Sequence, residues 1–381
     1  MKIGIVGIGH TKFGKTSEGI EQLMMSACTQ ALEDAGCPPD MVDAIYIGNF
    51  SSSFYSQCHL PAVLSSAFGG GKEITRVETA CASGGLALKE AVIAISSGLY
   101  KTVLVVGVEK MTEASTDETL AILARAASRT EQKHGATFTS LFALIAQRHF
   151  YEYGTTEVHL AKVAVKNHKN AKCNPFSHFH QEVTIDEVLA SSIIASPLKL
   201  LDCSPISDGA AAVLLTHQNI SSRFKKSPIY VIGIGHDTAP VSLYDRAVLT
   251  SLPAVIGASM KAYQTSKLTP KEIDVAEVHD CFTIAELVQI EDLGFCEKGM
   301  SKVLIDEGRT DVAGDIPVNP SGGLKAKGHP IGATGVSQIV EIVKQLRGEA
   351  HDRQVTDAKI GLCCNIGGSG ASAIVTILRR E

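Results

Sequence analysis

The chain has 381 residues, of which 45% are hydrophobic and 20% are charged, and its formal net charge at pH 7 is −5. This composition is typical of a folded globular protein and excludes an extended disordered chain, and the length predicts two or more packed units. The negative charge argues against nucleic acid as the main partner, and no apolar run reaches the roughly 20 residues of a membrane-spanning helix.

The N-terminal residues predict a strand and not a targeting segment. Met1–Val6 leads directly into an apolar stretch, without the charged, apolar and small-residue succession of a secretory signal. The ten cysteines follow no disulfide framework. We therefore expect a cytoplasmic protein in which most cysteines are reduced core residues.

Short apolar runs alternate with amphipathic stretches along the chain. Buried strands are predicted at Ile3–Gly7, Ala44–Ile47 and Thr102–Val108, and helices at Glu21–Ala35 and Gly84–Ser97. This alternation favours α/β layers with largely buried sheets.

Two parts of the chain resemble each other at a constant spacing. The matching pairs, 231 positions apart, are Ala31 with Ala262, Pro39 with Pro270, and Val42 with Ile273. After each copy comes a Gly-rich turn into a helix, Cys81–Gly85 in the first and His329–Ala333 in the second. The favoured interpretation is a duplicated α/β unit with a site at the seam, and chance similarity of helix–turn–strand units is the alternative.

The segment 113–195 interrupts this pattern, because it is richer in His, Lys, Arg, Thr and aromatic side chains. We interpret it as an insertion on the first half, where substrate contacts are often found. Cys173, His178 and His180 within it could suggest zinc, but they match no closed four-ligand motif. No metal site is predicted.

Cys81 is the first candidate for a nucleophile. It follows Val77–Ala80, which leads from a predicted strand, and it precedes Ala82–Gly85, which opens a helix. N–H groups and the macrodipole at a helix N-terminus favour a thiolate, and the small neighbours would admit a substrate. A buried structural cysteine is the alternative.

Two histidines are candidates for partners of this thiol. His329 lies between Gly328 and Pro330, a setting poorly suited to core packing, and could be the base that activates the thiol. His279 and Cys281 follow the predicted strand Val275–Val278, on which both would point to the same face. The alternatives are that His329 is a surface loop histidine, and that His279 and Cys281 are a satisfied polar pair at a sheet end.

A second Gly-rich segment follows the apolar strand predicted at Lys359–Cys364. The turn within Cys363–Gly370 could present backbone N–H groups to an oxyanion. A phosphate loop is the rival interpretation, but the Gly-Lys-Ser/Thr ending is missing.

Together these motifs resemble the thiolase superfamily over essentially the whole chain. The segments that carry the resemblance are Glu78–Gly85, Val103–Met111, Ser207–Ala212 and Gly328–Gly332. The resemblance implies an α/β thiolase fold of two duplicated βαβαβαββ halves in five layers, with an inserted loop domain. The implied domains are 1–112 with 196–222 for the N-terminal half, 113–195 for the loop domain, and 223–381 for the C-terminal half.

The resemblance also implies roles for site residues. Cys81 would be acylated, and His329 would activate it and form one oxyanion hole with His279. The N–H groups of Cys81 and Gly367 would form a second oxyanion hole. The His279–Phe282 motif, in place of the common Asn-Glu-Ala-Phe, is similar to sterol-carrier-protein-type thiolases and archaeal and bacterial acetyl-CoA acetyltransferases.

One departure concerns the cysteine that moves the substrate α-proton. The common Cys-x-Gly pattern is replaced here by Asn365–Gly367. Cys281 is the first candidate for this acid/base. Cys364 is the second, although strand alternation would turn it to the opposite face.

The implied reaction condenses two acetyl-CoA to acetoacetyl-CoA and CoA, or runs the reverse thiolysis, through an acyl-cysteine. A CoA thioester would be the substrate, with no permanently bound cofactor. The alternatives are a 3-ketoacyl-CoA thiolase acting on longer chains, and a channelling or scaffold subunit of an acyl-CoA complex. The usual Cys-His-His set of a ketoacyl synthase lacks the Gly-His-Pro-Ile-Gly context. The resemblance further implies a homodimer or homotetramer and, in some relatives, a small barrel-fold partner and hydroxymethylglutaryl-CoA synthase.

Overall fold

A computed structural model describes residues 2–381, so Met1, which the first predicted domain includes, lies outside the described residues. The strands are β1 (Ile3–His10), β2 (Ala44–Gly48), β3 (Glu73–Val77), β4 (Thr102–Glu109), β5 (Ile193–Ala195), β6 (Leu198–Lys199), β7 (Gly209–His217), β8 (Ile229–Thr238), β9 (Val275–Glu277), β10 (Ile360–Gly367) and β11 (Ser372–Arg380). The α-helices are α1 (Ile20–Ala35), α2 (Leu60–Ala67), α3 (Ser83–Ser96), α4 (Thr116–Ala124), α5 (Arg129–Lys133), α6 (Phe138–Tyr153), α7 (Glu157–Lys172), α8 (Ile185–Ala190), α9 (Pro253–Ser266), α10 (Thr283–Asp292), α11 (Ser301–Asp306) and α12 (Ile331–Arg347).

Nine strands form one sheet in the order β3-β2-β4-β7-β1-β8-β11-β10-β9, and β5 pairs with β6. β1 and β8 pair antiparallel at the centre, with Ile3 opposite Val231. The same pattern of pairings extends outward on both sides of this pair. One side has β7, β4 and β2, and the other has β11, β10 and β9; on each side the last pair is parallel and the pair before it is antiparallel. The counterpart of β3 is a single bridge between Ala276 and Val318. This symmetry confirms the predicted duplication.

The helices arrange the two halves in layers. α3 and α12 lie together and contact both halves of the sheet, whereas α1 covers the outer face of the first half and α9 that of the second. Leu88, Val105 and Ile339 share the central core between the halves. β4 is buried along its whole length, which explains its continuous apolar sequence. The five predicted layers are thus confirmed.

Glycines allow the central helices to approach closely. A Cβ on Gly84 would lie 2.7 Å from the Gly332 carbonyl oxygen, and a Cβ on Gly107 only 2.3 Å from the same atom. Side chains are therefore excluded at this crossing, and the first turns of α3 and α12 touch. As a result, the residues just before these helices, Cys81 and His329, are brought to one point.

The two halves differ most between their last two strands. Gly368–Ala371 joins β10 to β11, whereas residues 110–208 join β4 to β7 and hold α4–α8. Ser115, Ser128 and Thr184 begin three of these helices with capping boxes, which satisfy the first N–H groups locally. This segment, called the excursion below, thus contains helices whose N-termini are stabilised by local capping residues.

Most predicted elements are confirmed, but two strand ends differ at the site. β9 ends at Glu277 rather than Val278, and β10 continues to Gly367 rather than ending at Cys364. Pairing with β11 extends β10, and this pairing is not visible in local hydropathy. Asn365 consequently lies within a strand. Within residues 2–381, no helix combines the length and the apolar character needed to cross a membrane.

Candidate active site

Cys81 lies in a tight loop between β3 and α3. Ala80 has a left-handed backbone, with φ of 50°. Ser83 Oγ closes the loop by accepting a hydrogen bond from the Thr79 N–H (2.9 Å) and donating one to the Ala80 carbonyl (2.6 Å). The half-buried thiol faces the N–H of Gly368. The loop therefore presents the sulfur just before the helix begins.

Burial raises the pKa of the Cys81 thiol to about 12. The N–H groups of Gly368 and of Cys81 act in the opposite direction, and the charge of Glu109 adds to the increase. Loss of water around the sulfur therefore outweighs the thiolate stabilisation expected from the helix N-terminus. Cys81 keeps its proton at neutral pH and needs a base beside it.

His329 precedes α12 as Cys81 precedes α3. Its Nδ1 lies 2.7 Å from Thr334 Oγ1, which donates its single proton to the Pro330 carbonyl (3.0 Å). In this arrangement Nδ1 carries the imidazole hydrogen and donates it to Thr334 Oγ1, which leaves a lone pair on Nε2. Burial lowers the pKa of His329 to about 3. The residue is thus a neutral base at neutral pH.

His279 lies in the loop that follows β9. Gln289 on α10 fixes this loop by accepting from the His279 N–H (3.0 Å) and donating to the His279 carbonyl (2.8 Å). The His279 ring meets the His329 ring edge-on, with centroids 4.9 Å apart. Burial, followed by the charge of His329, lowers the pKa of His279 well below its usual value. Both imidazoles are therefore neutral.

The sulfur of Cys81 and one ring nitrogen each of His279 and His329 lie within 4.8 Å of one another. Cys281 follows His279 by two residues in the same loop. Burial raises the pKa of its thiol well above the usual value, and electrostatic interaction with Cys81 raises it further. The fold thus brings together the four side chains singled out from the sequence.

Among residues 2–381, this trio is the one group of three Cys, His, Asp or Glu side chains close enough to share a metal ion. Cys173 is exposed beyond the end of α7, and His178 Nδ1 lies 2.9 Å from Ser207 Oγ. In the described part of the chain, Cys173, His178 and His180 therefore form no metal-ligand cluster.

The Gly-rich turn after β10 closes the other side of the thiol. A Cβ on Gly367 would lie 2.5 Å from a backbone oxygen of the nucleophile loop, and the N–H of Gly368 faces the Cys81 sulfur. Arg246 holds the turn by donating to the Ser369 carbonyl (2.8 Å) and Oγ (3.0 Å). The sequence indicated this turn as a source of N–H groups but assigned the role to Gly367 and not to Gly368. It gave no indication of Arg246, which no local motif marks.

Asp280 connects the two histidine loops. Its carboxylate accepts hydrogen bonds from the N–H groups of Leu324 (2.6 Å) and Lys325 (3.2 Å), which belong to the turn before His329. Burial, followed by the charge of a neighbouring carboxylate, raises the pKa of Asp280 to about 7. The residue between His279 and Cys281 in sequence thus positions the second histidine loop.

Cys364 and Asn365, adjacent on β10, face opposite sides of the sheet. Cys364 belongs to the outer core, near Tyr263 of α9. Asn365 contacts Cys81 and His279. The Cys364 side chain therefore points away from the nucleophile.

A cleft of about 820 Å³ opens beside the nucleophile loop. Thr79 and Gly368 line it from the two halves of the chain, and Arg76 and Arg125 add cationic side chains. Its volume is within the range of small-molecule sites. The geometry therefore supports covalent chemistry on a ligand that enters between the halves.

Comparisons with known proteins agree with this architecture. Residues 3–219 match the family model described as Thiolase, N-terminal domain, and residues 235–380 match that described as Thiolase C-terminal domain-like. The acetyl-CoA acetyltransferase of Methanothermobacter thermautotrophicus is 46% identical over 381 aligned residues, which cover 99% of each chain. Human sterol carrier protein 2 is 36% identical over 99% of this chain and 72% of its own length.

Two solved structures share the fold. The Ltp2-ChsH2(DUF35) aldolase is 26% identical, with a TM-score of 0.86 over 100% of this chain and 98% of that chain. Human mitochondrial 3-ketoacyl-CoA thiolase is 17% identical, with a TM-score of 0.77 over 100% of this chain and 99% of that chain. At this identity the likeness is one of fold alone. Since the two family models span nearly the whole chain and full-length relatives well above 30% identity match it, this chain belongs to the thiolase family.

Proposed function

We propose that this protein is an acetyl-CoA C-acetyltransferase, which condenses two acetyl-CoA to acetoacetyl-CoA and CoA or runs the reverse thiolysis. The observation that carries the proposal is the convergence of Cys81, His279 and His329 within 4.8 Å, with Cys281 beside them. A nucleophile, a base and a second thiol at one point suit acyl transfer in two steps. The names of the archaeal relatives support acetyl as the acyl group.

In the first step, His329 Nε2 accepts the proton of Cys81, and the thiolate attacks the carbonyl carbon of acetyl-CoA. The N–H groups of Cys81 and Gly367, with Gly368 adjacent, would stabilise the oxyanion. The expelled CoA thiolate takes a proton from Cys281. The products are acetyl-Cys81, CoA, protonated His329 and a Cys281 thiolate, so charge is balanced.

In the second step, the Cys281 thiolate removes an α-proton from a second acetyl-CoA. His279 and protonated His329 donate to the enolate oxygen while the carbanion attacks acetyl-Cys81. The new carbon–carbon bond forms, the Cys81 thiolate leaves, and it recovers its proton from His329. Cys281 is the preferred acid/base because its thiol interacts electrostatically with Cys81, whereas Cys364 faces away from the site toward Tyr263 of α9.

Acylation gives the direct test. Incubation with acetyl-CoA should add the mass of one acetyl group to the wild-type chain in an intact-mass spectrum, and Cys81→Ala should abolish this gain. Cys173→Ala removes an exposed thiol and should leave acetylation unchanged. An acetyl adduct that persists in Cys81→Ala would exclude Cys81 as the nucleophile.

The alternatives differ in measurable ways. A 3-ketoacyl-CoA thiolase would cleave longer ketoacyl-CoA substrates faster than acetoacetyl-CoA, whereas a scaffold subunit would cleave neither. The complete set of Cys81, His279, Cys281 and His329 favours an enzyme. A thiolysis assay over increasing chain length distinguishes the three cases.

We also propose the domain division 1–112 with 196–222, 113–195, and 223–381, which the mirrored strand order and the position of α4–α8 support.

A homodimer or homotetramer is part of the proposal, because β3 is an exposed sheet edge. The fold likeness to an Ltp2-ChsH2(DUF35) aldolase supports a small partner protein. A cytoplasmic location agrees with ten free thiols. Size-exclusion chromatography with light scattering tests the assembly.

A further inference from the structure

Asn365 makes three hydrogen bonds at the centre of the site. Its side-chain oxygen accepts from the Gly85 N–H at the start of α3 (3.1 Å). Its side-chain nitrogen, Nδ2, lies 3.0 Å from the Cys81 carbonyl oxygen and 3.1 Å from His279 Nδ1. The side chain is 2% exposed. One residue of β10 thus contacts the nucleophile loop, the first turn of α3 and one catalytic imidazole.

These contacts allow only one orientation of the amide. Rotating it by half a turn would place the NH₂ group against the Gly85 N–H and the carbonyl oxygen against the Cys81 carbonyl, which are two repulsive contacts. The side chain is also confined, since a Cβ on Gly335 would lie 2.2 Å from the Asn365 oxygen. The group that faces His279 Nδ1 is therefore an N–H donor.

A hydrogen-bond donor that faces Nδ1 determines which nitrogen of a neutral imidazole carries the hydrogen. Nδ1 of His279 must present its lone pair to Asn365, so the hydrogen is on Nε2. His329 has the opposite arrangement, because Thr334 leaves Nδ1 as the donor and Nε2 with the lone pair. Two neighbouring imidazoles are thus held in opposite tautomers.

We propose that Asn365 is a positioning residue that holds His279 as the Nε2–H tautomer, so that His279 donates to the substrate oxygen while His329 acts as the base. This proposal rests on the proposed acetyl transfer and deepens it. Position 365 is where the common thiolase pattern has its proton-transferring cysteine. Here the position orients a histidine, and proton transfer is assigned to Cys281.

Asn365→Asp replaces the side-chain NH₂ donor by a carboxylate oxygen, with little change in side-chain volume. The carboxylate keeps the acceptor for the Gly85 N–H but can only accept from His279, so the imidazole hydrogen should move to Nδ1. Removal of one oxyanion donor typically costs about 10²–10³-fold in kcat. We expect a fall in the condensation kcat of about 10²-fold, little change in KM, and retained acetylation of Cys81.

The imidazole nitrogen shifts in an NMR spectrum of ¹⁵N-histidine-labelled protein report the tautomer directly. The His279 signals are identified by their loss in His279→Gln. Wild type should show the Nε2–H form and Asn365→Asp should not. An Nδ1–H form in wild type would overturn the proposal without requiring any variant at position 365 to fold.

Asn174→Asp is the matched control. The Asn174 amide is also buried, donates to the Ser321 carbonyl (2.9 Å) and accepts from the Phe176 N–H (3.2 Å), but contacts no imidazole. Its condensation kcat should stay close to wild type, and an equal loss in both variants would overturn the positioning role. The NMR measurement needs no acyl-CoA, so it decides the tautomer even if wild type forms no acetyl-cysteine, a result that would instead refute the proposed function.

Discussion

At the residue scale, burial keeps each reactive group of the proposed mechanism uncharged. The pKa of Cys81 is raised to about 12 and that of His329 is lowered to about 3, in both cases chiefly by burial. Removing water penalises the charged form of a thiol and of an imidazole alike. A thiolate–imidazolium pair is therefore not the resting state, and proton transfer must accompany attack on the substrate.

The pH dependence of alkylation tests this resting state. Only the thiolate reacts with iodoacetamide, so the rate at Cys81 should rise about tenfold for each pH unit from pH 7 to 10, without a plateau. Inactivation kinetics give this rate, and Cys81→Ala shows the background labelling of the other cysteines. A rate independent of pH across this range would mean that a preformed ion pair exists.

Replacing Cys281 should separate the two half-reactions. Cys281→Ala removes the proposed acid/base of both steps. The CoA thiolate can still leave without a proton and take one from water, so acetyl-Cys81 should form, whereas the condensation rate should fall about 10²–10⁴-fold. Cys364→Ala is the control, because its thiol faces away from the site toward Tyr263. Condensation unaffected in Cys281→Ala but lost in Cys364→Ala would transfer the role to Cys364.

At the element scale, backbone contact between helices creates the site. α3 and α12 begin against each other at Gly84 and Gly332. Each helix is preceded by one member of the nucleophile–base pair, Cys81 and His329. The duplicated unit therefore supplies the two catalytic groups from equivalent positions, and their distance depends on this crossing.

Gly332→Ala tests the crossing. The added methyl group would lie 2.5 Å from the Val108 carbonyl oxygen and 2.6 Å from that of Gly48. The gain in helix propensity, about 1 kcal/mol, cannot offset overpacking against backbone, so we expect a loss of about 3 kcal/mol in the free energy of unfolding. Urea denaturation measures it.

Gly69→Ala is the control for this change, because its methyl group meets no atom within 4 Å. It should cost only about 1 kcal/mol, from left-handed backbone strain. If both variants lost equal stability, the close contact at Gly332 would not explain the effect.

At the scale of the whole molecule, stability is distributed unevenly between the sheet and the excursion from β4 to β7. β4 is buried at every residue, whereas α5 has no buried residue. Short exposed helices open at a low free-energy cost, while central strands open only with global unfolding. Hydrogen exchange followed by mass spectrometry should show α5 exchanging at least about 10²-fold faster than β4. Equal protection would indicate that the excursion and the sheet unfold as one unit.

Local pattern in the sequence was sufficient for much of the fold. Apolar runs predicted β1, β2 and β4, and the 231-residue repeat predicted the duplicated halves that the mirrored strand order confirms. These features depend on short-range periodicity and on duplication, both of which are visible in one dimension. The extension of β10 to Gly367 was missed because it depends on pairing with β11.

The sequence by itself determined the chemical types available, namely Cys81 before one helix, His329 before another, and His279 with Cys281 after a strand. Only the tertiary structure decided their protonation and their division of labour. Burial keeps the thiols protonated and the imidazoles neutral, and hydrogen bonds with Asn365 and Thr334 select opposite tautomers. The contacts of Asn365 join residues up to 284 positions apart, as between Cys81 and Asn365, so no local pattern could reveal them.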